Sequence, residues 1–313
     1  MSKEKKQAII KILFSIILFG VIFWQVDLAS VWSSFRLLDL RFLPLLILLV
    51  VLNYLVSSVR WKVLLIHENS EKASVSYLTS LYFIGSFFNN FMPTSIGGDV
   101  FKIVSLGKRL KNKADAFAAT FMERFTGIIA LVLISYIGLV QTLGFWVAQL
   151  PDLIAANTVL VFLFKFVLFF GFWIAAFAGF LALRFLSGTI GAFKKVYDSL
   201  VVYKGSNKIL VNAFLTSFIV QVLAIFTQYF IFSAMGVNIP LDYALFIFPV
   251  ITLISFFVPS LNGLGVQDAL YMQLFLVVGI PAEISLSASI IYHLLRLFVS
   301  LFGGVLYALG KSD

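Results

Sequence analysis

Three carboxylates and three basic residues fall within apolar stretches that are long enough to lie in a membrane. The acids are Asp99, Glu123 and Asp268, and the bases are Arg124, Lys165 and Arg296. Burying a charge at the centre of a bilayer costs about 2.5–3.5 kcal/mol even on the lenient insertion scale, so each needs a partner or a function. Lys165 lies nearer the end of its stretch, where the side chain reaches the interface. The other five are therefore candidates for binding a charged group of a substrate.

Arg296 belongs to a polar stripe in the last apolar segment. The stripe follows 4-3-4 spacing, which places its members on one face of a helix; they are Ser289, His293, Arg296 and Ser300. At 1.5 Å per residue, Arg296 lies about 20 Å along the helix from Glu283, near the middle of a bilayer. A guanidinium there is suited to bind a phosphate through paired hydrogen bonds.

Two stretches rich in Pro and Gly, residues 93–99 and 259–265, interrupt apolar runs. Each begins with Pro, continues with a hydroxyl residue and has Gly four positions after the Pro; Asp99 and Asp268 supply the following carboxylates. Pro and Gly break helices, and lipid cannot satisfy the freed backbone groups. Such a break therefore requires protein or a polar cavity around it. The helix that starts after it presents free N–H groups and a positive dipole end to an anion.

These features predict a substrate-binding site for an anionic headgroup. Its predicted residues are Asn89, Asn90, Gly97, Gly98, Asp99, Glu123, Arg124, Asn262, Gly263, Gly265, Asp268, His293 and Arg296. The carboxylates would be counter-charges, or would receive protons or a cationic headgroup. In the alternative interpretation, Glu123 with Arg296, or Asp99 with Arg124, form ion pairs that only stabilise the fold.

The composition restricts the class of protein. Hydrophobic residues make up 61% of the chain and charged residues 12%, which is typical of a polytopic membrane protein. The absence of cysteine excludes disulfides, thiolate catalysis and cysteine-based metal sites. His67 and His293 are far apart in sequence, so no metal, cofactor or catalytic residue is predicted. The net charge of +9 comes from basic loops and is a topology signal, so no nucleic-acid partner is expected.

The apolar pattern predicts six full spans and two re-entrant broken helices. The full spans are expected at about 8–26, 42–66, 114–145, 157–186, 209–235 and 283–310. With the N-terminus in the cytoplasm, basic residues of 60–72, 102–113 and 184–208 face the cytoplasm, and only Arg36 and Arg41 lie outside. This asymmetry agrees with the positive-inside rule.

The residues that flank the two breaks indicate an inverted repeat. Basic residues flank the first broken segment, whereas Asp242 and Glu283 flank the second, so the two would enter from opposite sides. We therefore predict an all-α polytopic membrane protein, one transmembrane domain over residues 1–313, with repeat halves at about 42–145 and 209–310. Paired breaks in matching positions of two halves are a pointer to a transporter binding site.

Three motifs together resemble a known family. They are Pro93-x-x-x-Gly97-Gly98-Asp99, Glu123-Arg124 and Pro259-x-x-x-Gly263-Leu264-Gly265-Val266. As a set they are similar to the membrane, flippase-like region of bacterial lysylphosphatidylglycerol synthase and its stand-alone relatives, over residues 8–308. Members usually have Glu at position 99 and Arg-Glu at 267–268, where this chain has Asp99 and Gln267-Asp268. The resemblance implies translocation of a phospholipid or related amphiphile between leaflets, and lipid aminoacylation by the synthase's soluble aminoacyl-transferase domain is not expected of this sequence.

We therefore expect a non-enzymatic lipid flippase or transporter in a bacterial or archaeal cell (inner) membrane. Its partners would be membrane lipids with an anionic headgroup, and a homo-oligomer is compatible with the sequence. Two alternatives remain open. One is an integral-membrane transferase acting on a lipid phosphate, and the other is a non-catalytic scaffold that binds a soluble partner through residues 102–113 and 187–208.

Overall fold

The computed structural model describes residues 32, 33, 35–65, 71–91, 97–151, 158–186, 197–258, 260 and 262–311. Nine α-helices of ten residues or more follow one another in these ranges, and no strand occurs there. They are α1 (Leu43–Val63), α2 (Val75–Phe91), α3 (Gly97–Leu110), α4 (Lys113–Ala148), α5 (Thr158–Leu186), α6 (Asn207–Ala234), α7 (Leu241–Phe257), α8 (Val266–Val277) and α9 (Ala282–Ala308). The predicted all-helical class is therefore confirmed for the described residues.

Four of these helices, α1, α4, α6 and α9, are long and apolar enough to cross a membrane. α5 bends by 44° between Thr158–Val167 and Phe169–Gly179, and counts as a fifth span if the bent pair is taken together. The chain is thus a multi-pass membrane protein. The first predicted span, residues 8–26, lies outside the described residues.

The first break separates two helices that run antiparallel, α2 and α3. Near the break, the backbone of Gly98 packs directly on that of Gly85. At the far end of the pair, Arg109 Nε donates a hydrogen bond to the Lys72 carbonyl oxygen at 2.8 Å. Residues 72 and 109 therefore lie at the same end of the pair, as their shared basic character suggested.

Around the second break, α7 and α8 pack through aromatic rings. The Phe248 ring centroid lies 5.9 Å from that of Tyr271 and 5.3 Å from that of Phe275. All three side chains are buried, together with Phe232 of α6. These rings form the centre of the larger apolar core.

The long helices pack on partners that are distant in sequence. α1 packs on α6, α4 on α7, and α9 on α2, while α3 and α8 pack on the helices that follow them. Glycines permit two of these contacts. A Cβ at Gly138 of α4 would lie 2.5 Å from the Phe246 nitrogen, and one at Gly303 of α9 would lie 2.0 Å from the Phe83 carbonyl oxygen. Small residues at such crossings let helix backbones approach closely in a membrane.

Candidate functional site

A polar cavity of about 260 Å³ lies where α1, α2, α3, α4, α6, α7 and α9 meet. Its polar lining residues are Asn53, Tyr54, Ser57, Arg60, Tyr82, Ser86, Asn89, Asp99, Lys102, Glu123, Arg124, Gln221, Thr252 and Arg296. Five of the predicted site residues are among them: Asn89, Asp99, Glu123, Arg124 and Arg296. Helices from both ends of the chain thus supply one polar space.

Asp99 and Arg124 form a two-pronged ion pair at the edge of this cavity. Arg124 donates from Nε at 2.9 Å and from Nη2 at 2.5 Å, both to Asp99 Oδ2. The Asp99 side chain is 10% exposed and that of Arg124 is 41% exposed. Asp99 also lies in the first turn of α3, where the helix dipole stabilises a negative charge. The arginine is therefore fixed by one carboxylate and still accessible.

Glu123 is the centre of a second charged group. It lies 2.7 Å from Arg60 Nη2 and 3.4 Å from Lys102 Nζ, and Lys102 is also 3.4 Å from Asp99 Oδ1. The charge pattern of the sequence predicted that Arg60 and Lys102 lie on the cytoplasmic side. The structure buries both, at 6% and 5% exposure. Both residues lie on inward-facing helix surfaces, which their closeness to basic loops did not indicate, and the side of the membrane on which they lie stays a prediction.

Aromatic rings help to hold Lys102 in this buried position. Its ammonium group lies 3.9 Å from the Tyr82 ring centroid and 4.7 Å from that of Trp61. Such rings attract a cation through their negative faces. Two carboxylates and two rings therefore surround Lys102, which connects the Asp99 and Glu123 groups into one network.

Arg296 lines the same cavity from α9. Its guanidinium lies 5.4 Å from the Tyr292 ring centroid, and Tyr54 is a close electrostatic neighbour. Within the described part of the chain, no carboxylate lies within ion-pair distance of Arg296, and Glu123 pairs with Arg60 and Lys102 instead. The pairing of Glu123 with Arg296 considered from the sequence is therefore not formed.

The second break forms a separate buried cluster. Positive φ angles make the turn: 51° at Asn262, 88° at Gly263 and 81° at Gly265. Asp268 then caps α8, because its Oδ2 accepts from the Gly265 nitrogen at 2.7 Å. Its Oδ1 accepts from the Ser289 hydroxyl at 2.6 Å and lies 3.4 Å from His293 Nε2. Asp268 is fully buried, and neither it nor His293, Asn262, Gly263 or Gly265 lines the cavity.

Side-chain amides connect the two breaks. Asn262 Nδ2 donates to Asn90 Oδ1 at 2.9 Å, and Asn90 Nδ2 donates to the Ser300 hydroxyl at 2.7 Å. Asn89 Oδ1 accepts from the Gly98 nitrogen at 2.7 Å, at the start of α3. The two broken segments therefore meet. Pro93 and Pro259, which begin the two breaks, lie outside the described residues.

Glycines are required where α3 begins. A Cβ at Gly98 would lie 2.0 Å from the Gly85 carbonyl oxygen, so any larger residue would separate α2 from α3. Gly97 precedes it and is also buried. These glycines position the first turn of α3, and with it Asp99, against α2.

An apolar groove of about 280 Å³ adjoins the polar cavity. Four residues line both spaces: Asp99, Arg124, Ile128 and Phe256. The rest of the groove is lined by Ile103, Phe117, Thr120, Phe121 and Phe125. The polar cavity and the apolar groove thus meet at the Asp99–Arg124 pair.

The comparisons with known proteins agree with a membrane protein of this type. A UPF0104 membrane protein of Pyrococcus horikoshii is 24% identical to this chain, over 94% of this chain and 95% of that protein. No solved structure matches the chain. Among the described residues, no group of three or more His, Cys, Asp or Glu side chains is arranged to hold a metal ion. The family model for the lysylphosphatidylglycerol synthase TM region matches residues 8–304, and the chain therefore belongs to that family.

Proposed function

We propose that this protein moves an anionic lipid between the two leaflets of a bacterial or archaeal cell membrane, without a covalent step. The observation that carries the proposal is the junction at Asp99 and Arg124, where the polar cavity opens onto the apolar groove. A headgroup in the cavity and an acyl chain along the groove would satisfy both halves of one amphiphile. The family's description, which names a lipid synthase, is consistent with this role.

The reciprocal helix packing supports a repeat of inverted topology within a single transmembrane domain. If α1, α2, α3 and α4 are matched in order with α6, α7, α8 and α9, the contact of α4 with α7 corresponds to the contact of α9 with α2. The contact of α3 with α4 likewise corresponds to that of α8 with α9. Gly138 and Gly303 then occupy matching crossings. We propose that α2–α3 and α7–α8 are re-entrant hairpins within repeat halves 42–145 and 209–310, and that movement between the halves exposes the cavity to each leaflet in turn.

In this proposal, Arg124 and Arg296 bind the headgroup from opposite sides of the cavity. Glu123 and Asp99 keep Arg60, Lys102 and Arg124 in place when no lipid is bound. Asp268 and Asn262, with Asn90, hold the broken helices together beside the cavity. Basic residues at the shared end of α2 and α3 favour a cytoplasmic position for that end, and hence for the N-terminus.

A transport assay tests the proposal. Purified protein is placed in liposomes that contain phosphatidylglycerol with a fluorescent acyl chain, and dithionite is added to quench the outer leaflet. Wild-type protein should expose inner-leaflet lipid faster than protein-free vesicles do. Arg296→Ala should reduce this rate at least about tenfold, because the guanidinium contact with a charged group is lost.

The exposed Arg41 provides the matched control. Its side chain is 92% exposed, so Arg41→Gln removes the same charge away from the cavity and should transport normally. A wild-type rate equal to that of empty vesicles, both for phosphatidylglycerol and for phosphatidic acid with the same fluorescent chain, would reject transport and favour the scaffold role. Chemical conversion of the lipid, seen by mass spectrometry of the same vesicles, would favour the transferase.

A further inference from the structure

The charges that line the cavity do not balance. Four basic side chains, Arg60, Lys102, Arg124 and Arg296, face it with two carboxylates, Asp99 and Glu123. Fully ionised, this set has a formal excess of two positive charges. Because uncompensated charge in a low-dielectric region is costly, a ligand with two negative charges would be the best counter-ion.

One N–H group of a buried arginine has no hydrogen-bond acceptor. Arg60 Nε is buried and has no partner within the described residues, although Nη1 donates to the Ser217 hydroxyl at 3.1 Å and Nη2 to Glu123 at 2.7 Å. The Arg60 side chain is only 7% exposed. Arg60 Nε itself is closed off from the cavity, so Arg60 contributes positive charge to the cavity wall and not an Nε hydrogen bond to a ligand.

Two side-chain amides that line the cavity each donate one hydrogen bond to a backbone carbonyl oxygen. Asn53 Nδ2 donates to the Val220 carbonyl oxygen at 2.7 Å, and Gln221 Nε2 donates to that of Gly127 at 3.1 Å. Each of these amides keeps one N–H, and the charged donors that line the cavity belong to the three arginines and Lys102. A group with several strong acceptor oxygens matches this arrangement better than a cationic or neutral headgroup does.

We infer that the lipid headgroup is a phosphomonoester, which carries up to two negative charges, rather than a phosphodiester, which carries one. This inference rests on the proposed lipid transport and narrows its substrate class. Arg124 and Arg296 would bind the terminal phosphate, and Arg60 and Lys102 would supply the remaining positive potential. A phosphomonoester loses its second proton near pH 6, so the match is complete only above that pH.

The test compares two lipids that differ by one charge. Dioleoyl phosphatidic acid and dioleoyl phosphatidylmethanol have the same acyl chains, but methylation leaves the latter a single negative charge. Binding to the full-length protein in neutral detergent is measured at pH 8 by the lipid-induced rise in unfolding temperature. We expect phosphatidic acid to bind at least about tenfold more tightly, and the difference to shrink at pH 5.5 as the phosphomonoester is protonated.

The possible outcomes distinguish a failure of the phosphomonoester inference from a failure of the transport proposal. Equal binding of the two lipids at pH 8, with transport of phosphatidylglycerol intact, would overturn the phosphomonoester and leave the transport proposal standing. Binding of neither lipid, with no transport, would overturn both. Inorganic phosphate at millimolar concentration should stabilise the protein less than phosphatidic acid does. Equal stabilisation would mean that the site binds free phosphate and that the lipid is not its ligand.

The variants extend the test. Arg296→Gln should lower the preference for phosphatidic acid, whereas Arg41→Gln should retain it. If Arg296→Gln does not fold, the comparison of the two lipids on wild-type protein still decides the inference.

Discussion

The two acids that follow the breaks have different surroundings. Asp99 pairs with the partly exposed Arg124 at the cavity edge, whereas Asp268 is fully buried and caps α8. In the sequence, both acids follow a Gly-rich break, Asp99 directly and Asp268 three residues later. Only the packing of α8 on α9, which brings Ser289 and His293 to Asp268, makes the second acid a local anchor.

The Glu123 network makes a prediction about stability. Glu123→Gln should lower the free energy of unfolding by about 3–5 kcal/mol, because Arg60 and Lys102 lose a shared carboxylate in a buried position. Thermal and denaturant unfolding in detergent would measure the change. Arg41→Gln, at an exposed ion pair, should change it by less than about 1 kcal/mol.

A second substitution isolates the charge effect. Adding Arg60→Gln to Glu123→Gln should recover part of the loss, so that the double variant is more stable than the sum of single effects indicates. Strict additivity of the two substitutions would contradict the network.

The sequence indicated some residues of the site and not others. Asp99, Glu123, Arg124 and Arg296 stood out because charges are rare in apolar segments. Arg60 and Lys102 did not, because Arg60 lies two residues before Lys62 and Lys102 lies six residues before the basic run that begins at Lys108. Their inward orientation depends on helix rotation, and a signal for it was present: Arg60 shares a helix face with Asn53 and Ser57.

At the scale of helices, the hairpins make a prediction about topology. Single cysteines are informative because the chain has none. Glu71→Cys and Ala114→Cys, one on each side of α2–α3, should both react with an impermeant reagent from the cytoplasm. Asn238→Cys and Glu283→Cys, around α7–α8, should both react from outside.

Labelling of intact cells reports residues that react from outside, and labelling of inverted vesicles reports residues that react from the cytoplasmic side. Reaction of Glu71→Cys and Ala114→Cys from opposite sides would mean that one of the α2–α3 helices crosses the membrane. The re-entrant hairpin and the inverted repeat would then both be wrong.

Two glycines of α4 provide a matched test of helix packing. Gly138→Ala places a Cβ 2.5 Å from the α7 backbone, which should separate the helices and cost about 1–3 kcal/mol. Gly144 has no atom within 4 Å of the added Cβ, so Gly144→Ala should be neutral or stabilise by up to about 1 kcal/mol. Unfolding temperatures of both variants check this, and equal effects would mean that Gly138 is not a packing position.

Helix positions followed from the sequence more directly than helix contacts did. Apolar length and Pro-Gly breaks predicted α1, α4, α6 and α9 to within a few residues. The pairing of α1 with α6 and of α4 with α7 was not predicted. A helix face that contacts another helix and one that contacts lipid are both apolar, so the sequence does not identify the partner helix. Close-contact glycines such as Gly138 and Gly303 were the available signal.

At the scale of the whole molecule, both ends of the chain build one polar cavity. α1–α4 supply Arg60, Lys102 and the Asp99–Arg124 pair, and α9 supplies Arg296. The groove next to the pair adds an apolar surface. We propose that a single amphiphile occupies both spaces, with its headgroup in the cavity and an acyl chain in the groove.

A structure of the protein in nanodiscs that contain an acidic phospholipid with brominated acyl chains would show where the lipid binds. We expect headgroup density between Arg124 and Arg296, continuous with a bromine-marked chain in the groove beside Phe121 and Phe125. Lipid bound only elsewhere on the surface, with cavity and groove free of it at lipid concentrations that support transport, would show that the cavity and the groove are not the lipid site.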